Sequence, residues 1–173
     1  MENTTSRIKF PQFIGRQAQL EQVRNVIAGQ TGISVINIAG VGGIGKTAIL
    51  RQIQKEYQSD SKKLVTDIID FSHTVHRVES WILEQIVAVA PEKFSLYRSR
   101  IKAVELATEP LSRQQREKEA LDGFRKDCAK IAKHYRFVLL FDTMELVQET
   151  PLVDFILDLA SQMENVVLVT AGR

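Results

Sequence analysis

Apolar residues along the chain fall into short continuous runs and into stripes that repeat every three or four positions. The runs are rich in β-branched residues and predict strands at residues 34–39, 64–69, 137–141 and 166–169, the last reaching Thr170. The stripes predict helices at residues 17–28, 46–57, 79–90, 94–108, 112–135 and 151–163. Strands that alternate with helices predict an α/β fold with a parallel sheet and right-handed crossovers.

Local signals predict where two of these helices begin. Ser112 and Gln115 have the spacing of a capping box. Thr150 offers an N-cap hydroxyl and Pro151 suits the first helical position. Trp81 and Cys128 lie on apolar stripes, so we expect both in the core.

Composition indicates one globular domain with its own core, since 44% of the 173 residues are hydrophobic. A net charge of +2 argues against a disordered chain or a nucleic-acid coat protein. The single cysteine excludes an internal disulfide and suits a reducing compartment. No signal-peptide core and no run of membrane-spanning length is present, so we predict a cytoplasmic protein without a membrane span.

Charge is unevenly distributed along the chain. Residues 91–136 contain 12 Lys/Arg and 7 Asp/Glu, a net +5, whereas residues 137–173 contain 1 and 6, a net −5. The basic segment is interpreted as a solvated helical face; the alternative is a docking surface for nucleic acid or an acidic partner.

The strongest chemical signal is the segment GVGGIGKT, which fits the phosphate-loop pattern G-x-x-x-x-G-K-[ST]. Its glycines let backbone N–H groups surround an anion, and the helix from Lys46 adds its positive end. Lys46 suits the β- and γ-phosphates and Thr47 suits Mg²⁺. We predict that ATP or ADP contacts a continuous set of residues: Gly40, Val41, Gly42, Gly43, Ile44, Gly45, Lys46, Thr47 and Ala48.

Two acidic residues follow the third predicted strand. Asp142 comes directly after the buried run 137–141, at the edge where ligands bind in open α/β folds, and is the predicted second Mg²⁺ ligand. Many P-loop ATPases have a carboxylate at the next position, where this chain has Thr143. Glu145 is therefore the candidate for positioning or activating the attacking water.

Three motifs in order resemble the signal-transduction ATPases with numerous domains, the STAND class, which includes the NB-ARC and NACHT families and is related to AAA ATPases. These motifs are the loop GVGGIGKT, the upstream segment FIGR with Leu20, and the apolar run VVLVT with Arg173 after it. The resemblance implies that Phe13, Ile14, Gly15 and Arg16 lie against adenine. It also implies that Arg173 faces the γ-phosphate.

The resemblance further implies a three-layer α/β/α sandwich with strand order 5-1-4-3-2 and strand 5 missing. We expect a flexible leader at residues 1–12 and an incomplete nucleotide-binding domain at residues 13–173, truncated before the lid and winged-helix domains of the class. The implied function is a nucleotide-dependent switch with slow hydrolysis and self-association in the intact protein. The alternatives are an AAA-type, origin-recognition-like ATPase with continuous turnover, or the ATPase module of a DNA-binding transcription regulator.

Overall fold

The computed structural model describes residues 16–30 and 34–173. Within them the helices are α1 (Gln17–Ile27), α2 (Lys46–Tyr57), α3 (Glu79–Ala88), α4 (Ser95–Glu105), α5 (Pro110–Ile131) and α6 (Pro151–Gln162). The strands are β1 (Val35–Ala39), β2 (Lys63–Val65), β3 (Ile69–Asp70), β4 (Arg136–Asp142) and β5 (Val166–Gly172). Short 3₁₀ turns occupy Thr74–His76, Pro91–Lys93 and Met144–Leu146. No helix in these two ranges is both long enough and apolar enough to cross a membrane.

All strand pairs in the sheet are parallel, in the order β1-β5-β4-β2, with β3 also paired to β4. The predicted strands therefore follow the order 1-4-3-2, and the predicted α/β/α architecture is confirmed. Successive side chains of a strand point to opposite faces, and β4 after Arg136 and all of β5 are buried on both faces. One set packs with α1 and α2 (Val138, Leu140, Val167 and Val169), and the other packs with α3 to α6 (Phe137, Leu139, Phe141, Val166 and Leu168).

The prediction of one continuous strand at residues 64–69 is wrong, since β2 and β3 are separate short pieces. Thr66 lies between them and is fully buried. Its N–H donates to the carbonyl of Val138 at 3.1 Å, and its Oγ1 accepts from the N–H of Leu140 at 3.0 Å. The hydroxyl thus replaces a backbone carbonyl, so β4 keeps its hydrogen bonds while the edge strand is interrupted.

Both capping predictions need correction. Helix α5 begins at Pro110, with Glu109 at the N-cap, so Ser112 lies inside the first turn and does not cap it. Proline's fixed φ suits the first helical position, which moves the start two residues earlier. Helix α6 begins at Pro151 as predicted, but the Thr150 hydroxyl donates to the carbonyl of Val147 at 2.8 Å and makes no cap hydrogen bond.

A buried carboxylate joins α4 to α5. Asp127 on α5 is 1% exposed, and its Oδ2 accepts from the N–H groups of Leu96 and Tyr97, each at 2.9 Å. These amides lie in the first turn of α4, where no intrahelical acceptor is available. Asp127 therefore caps α4 from a helix about thirty residues away and fixes the antiparallel hairpin.

The predictions that Cys128 and Trp81 lie in the core have different outcomes. Cys128 is 1% exposed, as predicted, and burial raises the pKa of its thiol far above the ordinary value. Trp81 is only partly buried at the margin of the core, where its ring stacks on His76 with 3.9 Å between centroids. His76 can take this position because its Nδ1 donates to the carbonyl of Asp70 at 2.6 Å.

Candidate functional site

Strands β1, β3, β4 and β5 all end at the carboxyl edge of the sheet, since they are parallel. The loop after β1 contains the glycine-rich motif, and the N–H of its Gly40 donates to the carbonyl of Gly172 at the end of β5. Strands β3 and β4 end level with each other at Asp70 and Asp142. The predicted site residues that follow β1, β4 and β5 are far apart in the sequence but lie at this same edge of the sheet.

The backbone of the loop takes a left-handed conformation at two of its glycines. Gly43 has φ +79° and Gly45 has φ +90°, both in the left-handed region. Gly45 is the N-cap of α2, so this conformation turns the chain directly into the helix that begins at Lys46. A side chain at either position would cost roughly 1–2 kcal/mol in backbone strain.

Lys46 is held at the loop by two carbonyl groups. Its Nζ donates to the carbonyl oxygen of Gly40 at 2.7 Å and to that of Val41 at 3.1 Å. The ammonium group thus lies against the backbone of the loop.

Thr47 and Asp142 form a direct contact at the base of the site. Thr47 Oγ1 donates to Asp142 Oδ2 at 2.6 Å, although the two residues are 95 positions apart. Asp142 is 6% exposed, and its Oδ1 accepts from the N–H of Thr143 at 2.8 Å. Both carboxylate oxygens are therefore oriented by protein donors.

Glu145 and Arg173 lie together beside the phosphate loop. The N–H of Arg173 donates to Glu145 Oε2 at 3.2 Å, and its guanidinium Nε lies 3.5 Å from Glu145 Oε1. An ideal Cβ placed on Gly42 would lie only 3.2 Å from Arg173 Nη2. Glu145 and Arg173, two of the three predicted catalytic residues with Lys46, thus contact each other, and the arginine extends over the loop.

Sequence reasoning missed Asp70 and the conformation of Thr143. Thr143 adopts φ 60°, ψ 40°, which is an outlier for a β-branched residue. Its Oγ1 donates to Asp70 Oδ1 at 2.8 Å, and that oxygen also accepts from the N–H of Ser72 at 2.9 Å. Burial favours a higher pKa for Asp70, but the hydrogen bonds from Ser72 and Thr143 outweigh it and hold the pKa below its ordinary value. The available signal was an acidic residue after an apolar run, the same pattern that identified Asp142.

The predicted adenine-contacting segment is only partly described. Phe13, Ile14 and Gly15 lie outside the described residues. Arg16 is the N-cap residue of α1 and is half-buried, and its carbonyl accepts from the N–H of Leu20 at 3.1 Å. The adenine contact remains a prediction.

Comparison with known proteins is consistent with this geometry. A family model described as an AAA ATPase domain matches residues 12–169. A probable disease resistance protein from Arabidopsis thaliana is 25% identical over 129 residues, which are 75% of this chain. The chain spans 15% of the length of that relative.

These two similarities and the phosphate loop agree on one assignment. The family match covers the loop, β4 and most of β5, the elements that form the candidate site. The predicted STAND-like P-loop ATPase domain is thereby confirmed at the level of its superfamily. The chain belongs to the AAA ATPase domain family and is an ATP-binding domain.

Proposed function

We propose that this domain is the nucleotide-dependent switch of a STAND-type signalling ATPase. The observation that carries the proposal is the position of Arg173, which bonds Glu145 and extends over Gly42 of the phosphate loop. A cation in that place can sense whether a third phosphate is present. The similarity to a probable disease resistance protein supports a regulatory role for the intact protein. Self-association of the intact protein is part of the proposed switch.

The residues at the base of the site fit Mg²⁺. Thr47 Oγ1 and Asp142 Oδ2 are adjacent hard oxygen donors, and Mg²⁺ in nucleotide sites usually takes one or two protein oxygens together with phosphate oxygens. We propose that these two residues hold the ion. When bound, Mg²⁺ would neutralise and orient the β- and γ-phosphate oxygens.

The hydrogen bonds of Lys46 also support nucleotide binding at the phosphate loop. Its two carbonyl contacts keep the ammonium group at the mouth of the loop. Phosphate oxygens are stronger, charged acceptors, so bound ATP would draw the ammonium from those carbonyls to the β- and γ-phosphates.

We expect hydrolysis to be slow because neither Thr143 nor Glu145 is free to act as a general base on the attacking water. Thr143, which replaces the carboxylate common after the Mg²⁺ residue, has no group that can act as a base at neutral pH. Glu145 is engaged by the backbone and the guanidinium of Arg173. We expect turnover on the order of 10⁻³ s⁻¹, as in nucleotide switches without an activator.

The switch is tested by substituting Arg173 with alanine. We expect the preference for ATP over ADP to fall about tenfold, since one charge-assisted contact with the γ-phosphate is lost. Isothermal titration with each nucleotide in Mg²⁺ measures that ratio. Arg98→Ala, an exposed arginine on α4, is the matched control. An unchanged ratio in Arg173→Ala would remove the arginine from γ-phosphate sensing.

The second candidate is an AAA-type ATPase with continuous turnover, which the AAA family match favours. In that case Glu145 acts as the base once ATP displaces Arg173. Glu145→Gln should then lower steady-state phosphate release by about 100-fold while ATP affinity is preserved. Under the switch proposal the wild-type rate is already slow and changes less than threefold in this variant. Phosphate release measured for both proteins separates the two functions.

The interpretation of the basic segment as a docking surface has less support. Several arginines and lysines of segment 91–136 are paired with carboxylates, including Arg100 and Lys126 with Asp122, and Arg125 with Asp158. This pairing favours the interpretation of a solvated helical face. Docking of nucleic acid or of an acidic partner on this segment stays the untested alternative.

A further inference from the structure

Asp70 and Asp142 end neighbouring parallel strands and are joined through one residue. Asp70 pairs with Asp142 in the strand register, and the carbonyl of Asp142 accepts from the N–H of Phe71 at 3.1 Å. Thr143 bridges the two carboxylates: its hydroxyl donates to Asp70 Oδ1 and its N–H donates to Asp142 Oδ1, both at 2.8 Å. Since Thr47 donates to the other oxygen of Asp142, a continuous chain of hydrogen bonds runs from Asp70 to the phosphate loop.

The central member of this chain is in a conformation that its own side chain disfavours. At φ 60° the β-branched Thr143 needs outside support to hold its N–H toward Asp142. Asp70 provides that support through the hydroxyl and is itself fixed by the N–H of Ser72. Without it, the turn would be free to relax toward a right-handed conformation, and Asp142 would lose one of its two orienting donors.

We propose that Asp70 is a positioning residue for the Mg²⁺ site: by holding Thr143 in the left-handed conformation, it fixes the Asp142 carboxylate in the orientation that metal–nucleotide binding requires. This inference rests on the proposed role of Asp142 and Thr47. Asp70 acts through its hydrogen bond to Thr143, so the acceptor oxygen is needed and the negative charge is not. Groups that orient a metal ligand usually affect metal affinity by 10–100-fold.

The experiment measures the affinity of a fluorescent ATP analogue in Mg²⁺ and again in EDTA. The ratio of the two affinities is the gain in affinity that the metal provides. We expect Asp70→Ala to reduce this gain at least tenfold and to leave affinity in EDTA within about twofold of wild type. Asp70→Asn retains an acceptor oxygen and should stay within about threefold of the wild-type gain. Asp60→Ala is the control, because Asp60 also accepts local hydrogen bonds but precedes β2 at the opposite edge of the sheet.

A second pair of variants distinguishes positioning from a general loss of structure. Thr143→Val keeps the branched side chain and removes the hydroxyl, so it should reproduce Asp70→Ala, and the double variant should lose nothing further. Adding Thr143→Gly to Asp70→Ala removes the need for support and should restore most of the gain. This restoration is not expected if Asp70 only stabilises the fold.

Three results would overturn the proposal. If Asp70→Asn loses as much as Asp70→Ala, the charge acts directly on the metal or on water. If Asp70→Ala matches wild type, Asp70 has no role at the site. If wild-type protein binds the analogue equally well in Mg²⁺ and in EDTA, the assumed metal site itself fails, and that failure is visible without any variant.

Discussion

Replacement of Lys46 by alanine should weaken ATP binding about 100-fold. The ammonium group is held against the glycine-rich backbone by the carbonyls of Gly40 and Val41. With the β- and γ-phosphates of ATP it would make charge-assisted hydrogen bonds worth about 3 kcal/mol together. Each 1.4 kcal/mol is a factor of ten in affinity. Titration calorimetry with ATP and Mg²⁺ measures the change.

The matched control for this variant is Lys55→Ala. Lys55 is exposed on the same helix, α2, about two and a half turns from Lys46, so its loss removes an equal charge without touching the site. We expect ATP affinity in the control to stay within about twofold of wild type, since a solvent-exposed charge at that distance is largely screened. Equal affinity in Lys46→Ala and wild type would show that nucleotide does not bind at this loop.

Replacement of Phe124 by alanine should have the largest effect on stability. Phe124 is fully buried, and its ring contacts Phe94 and Tyr97 with centroid separations of 5.4 and 5.6 Å. Phe94 in turn reaches Phe137 on β4, so the cluster joins the α4–α5 hairpin to the sheet. Deleting a buried phenyl ring costs about 3–5 kcal/mol, a large fraction of the 5–15 kcal/mol typical of a domain.

Urea unfolding followed by circular dichroism measures this loss as a lower midpoint at unchanged slope. Leu111→Ala on the same helix is the control, because its side chain is 82% exposed and its loss should change stability by less than about 0.5 kcal/mol. A loss below 1 kcal/mol in Phe124→Ala would contradict the tight packing of this aromatic cluster.

The central strands and the position of the phosphate loop were predictable because each depends on local pattern, whereas the strand order was implied by the resemblance to STAND ATPases. Strands β4 and β5 read as continuous apolar runs since both faces are covered. The loop motif sits between a strand and a helix, a context visible within twenty residues. Asp142 could be placed beside Thr47 because parallel strands end at one edge, and the two side chains do meet at 2.6 Å.

The features that were missed depend on contacts between distant residues. Asp127 accepts from α4 amides thirty positions away, and Asp70 meets Thr143 across 73 positions. Thr143 in the left-handed region runs against its own propensity, so no local rule would suggest it. The split between β2 and β3 arises because Thr66 offers its hydroxyl to β4, an arrangement that an alternating or apolar pattern does not encode.

The interruption between β2 and β3 also determines how the isolated domain can aggregate. In the described part of the chain, the β2/β3 side and β1 are the two margins of the sheet. The first offers pieces of three and two residues, too short a template for an intermolecular strand. Strand β1 is five residues long without a break, and its Val35 is 44% exposed. Strand addition between copies should therefore begin at β1. A charged substitution at Val35 should reduce aggregation of the domain at high concentration.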